Sequence, residues 1–177
     1  MKYHVLIYEG YVSFEIMLAT YLLKTKGDIV TVGITKDPVR SSDDFTILPD
    51  IDIYELNIED VHLLLIPGGD PEPLRNQIKT SNLVKELISN DRIVAGICSA
   101  GVWVKELHQQ IQKAKDIVPV TPIVRYEVEV SGNVVTAPPH KYIDFAIELG
   151  AIMNIYPDDA DQQETVEFFK NFRSSRF

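Results

Sequence analysis

One cysteine, one glutamate on an apolar helix and one Pro-Gly-Gly turn are the residues of this chain that could share a reaction. Cys98 is the only cysteine of the 177 residues, and it stands at the end of the apolar run Ile93-Val94-Ala95-Gly96-Ile97. Small residues follow it (Ser99-Ala100-Gly101), and the apolar pattern then takes on helical spacing. A nucleophile on a tight strand-to-helix turn needs small neighbours, because bulky ones would clash where the backbone reverses. The helix start also points free N–H groups and its positive dipole end at the sulfur, which favours a thiolate. The alternative is a buried cysteine that serves only as a small hydrophobe.

Three further positions bear on that sulfur. Gly68 and Gly69 lack side chains, so their backbone N–H groups can approach a ligand closely. The N–H of Gly69 together with that of Ser99 would form an oxyanion hole, unless the pair is a simple turn. Glu15 lies in the first turn of an apolar helix, between Phe14 and Ile16. Either it faces solvent near a helix N-terminus, or it faces inward as a protonated carboxyl that tunes the sulfur. His140 follows Pro138-Pro139 and is either a base for the thiol or a loop residue. His4, His62 and His108 read as structural. No pair of histidines has metal-ligand spacing, and a single cysteine excludes a Cys-rich zinc site.

The elements that must position these residues alternate between strand and helix. The first strand covers residues 3–8, and a helix carrying Phe14, Met17, Leu18, Tyr21 and Leu22 follows, with Ser13 as its N-cap and Gly27 closing it. Ile29–Val32 is the next strand. Residues 36–60 form a connector with one short strand near Phe45–Leu48. Val61–Ile66 is a continuous apolar run, as a parallel strand covered on both faces requires. Asp70-Pro71 starts a helix, a second helix covers about 81–90, and the helix after Cys98 reaches about His108. Alternation from Ile117 to Val135 around Ser131-Gly132-Asn133 gives an antiparallel edge hairpin. A helix from about Lys141 and a last one capped by an Asp161/Glu164 box complete the chain. This order predicts a single α/β domain over 1–177, a three-layer sandwich around a mostly parallel sheet. Gly10–Glu15, Pro67–Asp70, Cys98 and Ala137–His140 all follow strands, so a parallel sheet would gather them on one rim.

Composition narrows the function classes. The chain is 45% hydrophobic and 24% charged, as an ordinary globular domain is. A net charge of −9 argues against nucleic-acid partners, which need a basic face. No apolar stretch is long enough to span a membrane, and the N-terminal run reads as a strand rather than a signal peptide. A single cysteine suits a reducing, cytoplasmic compartment.

Four segments, "HVLIYEGYVSFE" at 4–15, "VHLLLIPGGDPEPL" at 61–74, "IVAGICSAGVWV" at 93–104 and "GNVVTAPPHKYIDFA" at 132–146, together resemble the ThiJ/PfpI family of the class I glutamine amidotransferase-like superfamily. The resemblance covers nearly the whole chain and implies a flavodoxin-like fold, homodimers and no cofactor. It matches Cys98 to the family's elbow cysteine, Glu15 to the buried acid that hydrogen-bonds it, and Gly69 and Ser99 to the oxyanion donors. It implies glyoxalase, deglycase or amidase-like chemistry on small carbonyl or amide-like electrophiles, or a stress-sensing role through cysteine oxidation. A non-catalytic small-ligand module is the remaining expectation. The chain departs from the superfamily at three places. His140 is followed by Lys141-Tyr142 and not by the x-Glu of a glutaminase triad. Ser99 stands where PfpI-type proteases have histidine. Ala100 stands where most relatives have glycine. Glutaminase and protease activities are therefore not expected.

Overall fold

Leu63–Ile66 has all four residues buried and forms one of the middle strands of an eight-stranded sheet. A computed structural model describes residues 1–117, 119 and 121–173. In chain order the strands are β1 (Lys2–Leu6), β2 (Asp28–Gly33), β3 (Val39–Arg40), β4 (Thr46–Ile47), β5 (Ile51–Asp52), β6 (Leu63–Ile66), β7 (Ile93–Ile97), β8 (Ile123–Arg125), β9 (Val128–Ser131) and β10 (Val134–Ala137). The helices are α1 (Phe14–Leu23), α2 (Glu72–Arg75), α3 (Ile78–Ser89), α4 (Ser99–Ala114), α5 (Tyr142–Ile152) and α6 (Asp159–Phe169).

The sheet order is β5-β2-β1-β6-β7-β10-β9-β8, and β3 pairs with β4 in a separate antiparallel ribbon. From β5 to β10 every neighbouring pair is parallel, whereas β10–β9 and β9–β8 are antiparallel. The chain leaves β1 toward β2 on one side and later returns to β6 on the other. Strand order therefore reverses between β1 and β6, where an open α/β sheet leaves a crevice at its carboxyl rim. Right-handed crossovers in opposite directions put helices on both faces. α1 packs on α5 and α5 on α6, while α2 packs on α3 and α3 on α4. This is the expected sandwich, with the antiparallel hairpin at one edge.

Four local readings change. Ser13 does not cap α1; its hydroxyl donates instead to the Asp43 carboxylate, 30 residues on. Residues 36–60 hold three short strands rather than one. α4 continues to Ala114, because Ile111 keeps its apolar stripe against the core for another turn and a half. The cap of α6 is Asp158 and not Asp161: the Asp158 carboxylate accepts the Asp161 N–H at 2.9 Å. A carboxylate at N3 is itself favourable beside the helix N-terminus, so both acids suit that turn and the sequence pattern alone places the cap three residues late.

Candidate active site

The bend falls at Cys98, the single residue between β7 and α4. The Cys98 N–H still donates to the Ala137 carbonyl at 2.9 Å, one step beyond the four residue pairs of β7 and β10, yet α4 begins at the next residue. The backbone makes this reversal within Cys98, whose φ of 60° and ψ of −129° lie in a region that L-residues rarely adopt. Such a conformation costs of order 1–3 kcal/mol and persists only where the surroundings impose it. Here the reversal is fixed by β7 and β10 on one side and by α4 on the other. The side chain is thereby presented at the rim, partly exposed, at the N-terminus of α4.

The loop after β6 closes on the sulfur. A Cβ built on Gly68 would lie 2.5 Å from Cys98 Cβ, 2.6 Å from Glu15 Oε2 and 3.0 Å from Cys98 Sγ. Only a glycine lets three chain segments meet this closely. Gly68 donates its N–H to Glu15 Oε2 at 2.8 Å and accepts the Val12 N–H at 2.9 Å, so it ties the β6 loop to the β1 loop from both sides. Gly69 has φ of +131°, and a Cβ there would strike the Gly10 carbonyl oxygen at 2.5 Å. Both glycines are therefore required by approach, and not merely by a turn.

Of the two orientations open to Glu15, the inward one is realised: the residue is 2% exposed. Burial raises its carboxyl pKa, and the Gly68 N–H and the Cys98 thiol partly offset that rise by stabilising the carboxylate. The thiol moves in the same direction. Burial, foremost, and then the charge of Glu15 raise Cys98 above the ordinary thiol value, while the Ser99 N–H pulls it down. The helix N-terminus alone would favour a thiolate, but burial and the neighbouring carboxylate outweigh it. Ionised Glu15 makes ionisation of the thiol harder, whereas the thiol proton stabilises the carboxylate, so the pair favours one proton held between carboxylate and sulfur.

Two residues that the sequence reading assigned to no side-chain role hold the arrangement. The Ser99 hydroxyl donates to the Gly69 carbonyl at 2.7 Å, which leaves the backbone N–H of Ser99 directed at the sulfur. Tyr8, buried two residues after β1, donates its hydroxyl to the Pro67 carbonyl at 2.9 Å, and burial raises its pKa strongly. A buried tyrosine needs a partner for its hydroxyl, and this was the available sign in the sequence. Cys98, Glu15, Gly68, Gly69 and Ser99 thus converge. His140 does not join them. It lies on the one-turn 3₁₀ segment Pro139–Lys141, with 63% of its side chain exposed and Nε2 3.3 Å from Glu127 Oε2. Lys141 Nζ meets the other Glu127 oxygen at 3.1 Å.

The cleft onto which Cys98 opens is walled by Val102 and Lys105 of α4, Glu127 of the β8–β9 turn, Glu129 of β9 and Thr136 and Pro138 at β10. Among the described residues no group of three His, Cys, Asp or Glu side chains is gathered for a metal ion, and no helix is long and apolar enough to cross a membrane.

The DJ-1/PfpI family model matches residues 1–151. A search of curated proteins gives no match. Solved structures with the same fold include a DJ-1 superfamily protein of Agrobacterium tumefaciens, 22% identical, with a TM-score of 0.75 over 98% of this chain and 100% of that one. The oxidised DJ-1 of Toxoplasma gondii is 20% identical, with a TM-score of 0.74 over 94% of this chain and 96% of its own. DJ-1beta of Drosophila melanogaster is 19% identical, with a TM-score of 0.73 over 94% and 96%.

Proposed function

This chain belongs to the DJ-1/PfpI family, and from that premise we propose that it acts on small carbonyl or amide-like electrophiles with Cys98 as nucleophile. The observation that carries the reading is the buried Glu15 carboxyl, held by the Gly68 N–H against a thiol on a strained elbow. As the sulfur attacks a carbonyl carbon, an S–C bond forms, the C=O π pair moves to oxygen and the thiol proton passes to Glu15. A carboxylate with a raised pKa is a better base for this transfer than an exposed one. The N–H groups of Gly69 and Ser99 would receive the oxyanion, and Glu15 would return the proton to it. Such donors act most strongly where water is excluded. His140 is left with at most an auxiliary part, because Glu127 engages its ring. We extend the reading to a cytoplasmic homodimer that needs no cofactor.

The test is turnover of a panel of small aldehydes, dicarbonyls and amides by the wild type and by Cys98→Ser. Loss of at least a hundredfold in kcat/KM is expected for every substrate turned over; full activity in the variant would sink the reading.

A second reading takes its support from the same pair. Two equivalents of peroxide convert the thiol into a sulfinic acid and two waters, and the carboxyl of Glu15 could hydrogen-bond the product oxygens. The structurally similar Toxoplasma protein is known in an oxidised form. Intact mass after peroxide treatment distinguishes it: a selective gain of two oxygens at Cys98, with no turnover of the panel, favours the sensor.

A further inference from the structure

The loop that closes on Cys98 is held by its carbonyls. β1 and β6 run parallel, with Tyr3 opposite Leu63 and Val5 opposite Leu65. Carried past the strand ends, that register sets Tyr8 level with Gly68, and the Tyr8 hydroxyl donates to the Pro67 carbonyl at 2.9 Å. The next carbonyl, that of Gly68, accepts the Val12 N–H, and the one after it, that of Gly69, accepts the Ser99 hydroxyl. In a planar trans peptide the N–H points opposite to the C=O. The Pro67 carbonyl and the Gly68 N–H are therefore two ends of one rigid unit. Tyr8 fixes its carbonyl end, and its N–H end holds Glu15 Oε2 at 2.8 Å.

Water does not compete at either end. Tyr8 is 1% exposed, Glu15 is 2% exposed, and Pro67 and Gly68 are buried. Hydrogen bonds in series polarise one another, and most strongly where the local dielectric is low. A phenol drawing on the Pro67 carbonyl makes the Gly68 N–H a better donor, and that N–H stabilises the Glu15 carboxylate. The phenol is not itself a proton carrier. Burial, and then the charges of Glu15, Cys98 and Asp70, hold its pKa far above the ordinary value against the opposing pull of the Ser99 hydroxyl. It keeps its proton and remains a donor. A phenylalanine would fill the same space, so the hydroxyl alone makes the link.

We propose that Tyr8 is a positioning residue for the reaction at Cys98: through the Pro67–Gly68 peptide it aims and strengthens the N–H that holds Glu15 against the thiol. Tyr8 has this role only if Cys98 and Glu15 are the reacting pair, as in the reaction proposed for this site. A buried hydroxyl that is merely satisfied would lower stability on removal and leave the acidity of Glu15 unchanged.

The titration of Glu15 in the full-length chain separates the two roles. Carboxyl-labelled glutamate, followed by carbon NMR, gives its midpoint, and Glu15→Gln identifies the resonance. Tyr8→Phe removes the hydroxyl, and the midpoint should rise by about half a pH unit. A 3-fluorotyrosine placed at position 8 is a more acidic phenol and a stronger donor, so with it the midpoint should fall. A folded Tyr8→Phe chain without the rise, or a fluorinated chain without the fall, would overturn the role. The fluorinated chain keeps the hydrogen bond and decides alone if Tyr8→Phe does not fold. For any substrate of the panel, the acidic limb of kcat/KM should move up with the midpoint in Tyr8→Phe, because Glu15 must be ionised to take the thiol proton. Full turnover by Cys98→Ser would remove the reaction that Tyr8 serves, yet leave the predicted midpoints in place. Unshifted midpoints beside an inactive Cys98→Ser would remove Tyr8 and leave the nucleophile.

Discussion

Glu15 and Cys98 share an enclosure in which neither ionises easily, and this makes the effect of the acid on the sulfur measurable. Ionised Glu15 raises the thiol pKa through its charge and as an acceptor of the thiol proton. Glu15→Gln keeps an oxygen for the Gly68 N–H but removes the charge. The alkylation profile of Cys98 should therefore move to lower pH in this variant. A move to higher pH would mean that the native carboxyl is protonated and donates to a thiolate. Gly68→Ala probes the same enclosure by volume. Its Cβ would overlap Cys98 Cβ and Glu15 Oε2, so the loop must shift. Overpacking of this kind costs about 1–3 kcal/mol. Chemical denaturation should show that loss, together with a clear fall in Cys98 reactivity. Residue identities at this scale were largely readable: a lone cysteine before small residues, a glycine pair after a strand and an acid on an apolar helix. What could not be read was orientation. Nothing in Phe14-Glu15-Ile16 tells which way the acid points, because that depends on a bond to a loop 53 residues away. His140 shows the converse, a residue of suitable type drawn outward by Glu127, whose position depends on a turn with positive φ at both Tyr126 and Glu127.

At the scale of elements, apolar runs and their spacing identified the long strands and helices because each buries a face in the same core. Short elements escaped. β3, β4 and β5 hold two residues each, too few for a period, and they are positioned by side chains such as Asp50, which receives both the N–H and the hydroxyl of Thr31 at 2.7 Å. The same connector reaches the site. Asp43 accepts from Ser13 and, at 2.5 Å, from Ser41, which fixes the turn that precedes Glu15. The start of α6 offers a direct check on the revised boundary. Asp158→Ala removes the cap and should lower stability by about 1 kcal/mol. Asp161→Ala leaves that hydrogen bond in place and should cost clearly less, as paired urea titrations would show.

For the whole molecule, the parallel order β5-β2-β1-β6-β7-β10 is what assembles the rim; the alternation of strands and helices predicted that the sheet is mostly parallel, but not the order of its strands. The protonation of the core sets how the assembled molecule responds to acid. His4 sits in β1 between β2 and β6, 3% exposed, with Nδ1 unpartnered. Burial, with the charge of Lys2, lowers its pKa below 6.5, while Asp60 acts in the opposite sense. The folded protein thus keeps His4 neutral where the unfolded chain takes up a proton. Stability contributed by this residue is present above pH 6.5 and declines as pH falls below it. Urea midpoints measured between about pH 7.5 and 5.5 should fall for the wild type and fall less for His4→Leu; parallel declines would exclude His4 as a source.

The left-handed bend at Cys98 has a consequence for how such a chain must be maintained. Glycine is the residue that would adopt φ of 60° and ψ of −129° without penalty. A lineage selected only for remaining folded would gain by exchanging this thiol for glycine. A thiol at position 98 is a standing cost to the fold, one that the proposed reactivity of the sulfur would repay.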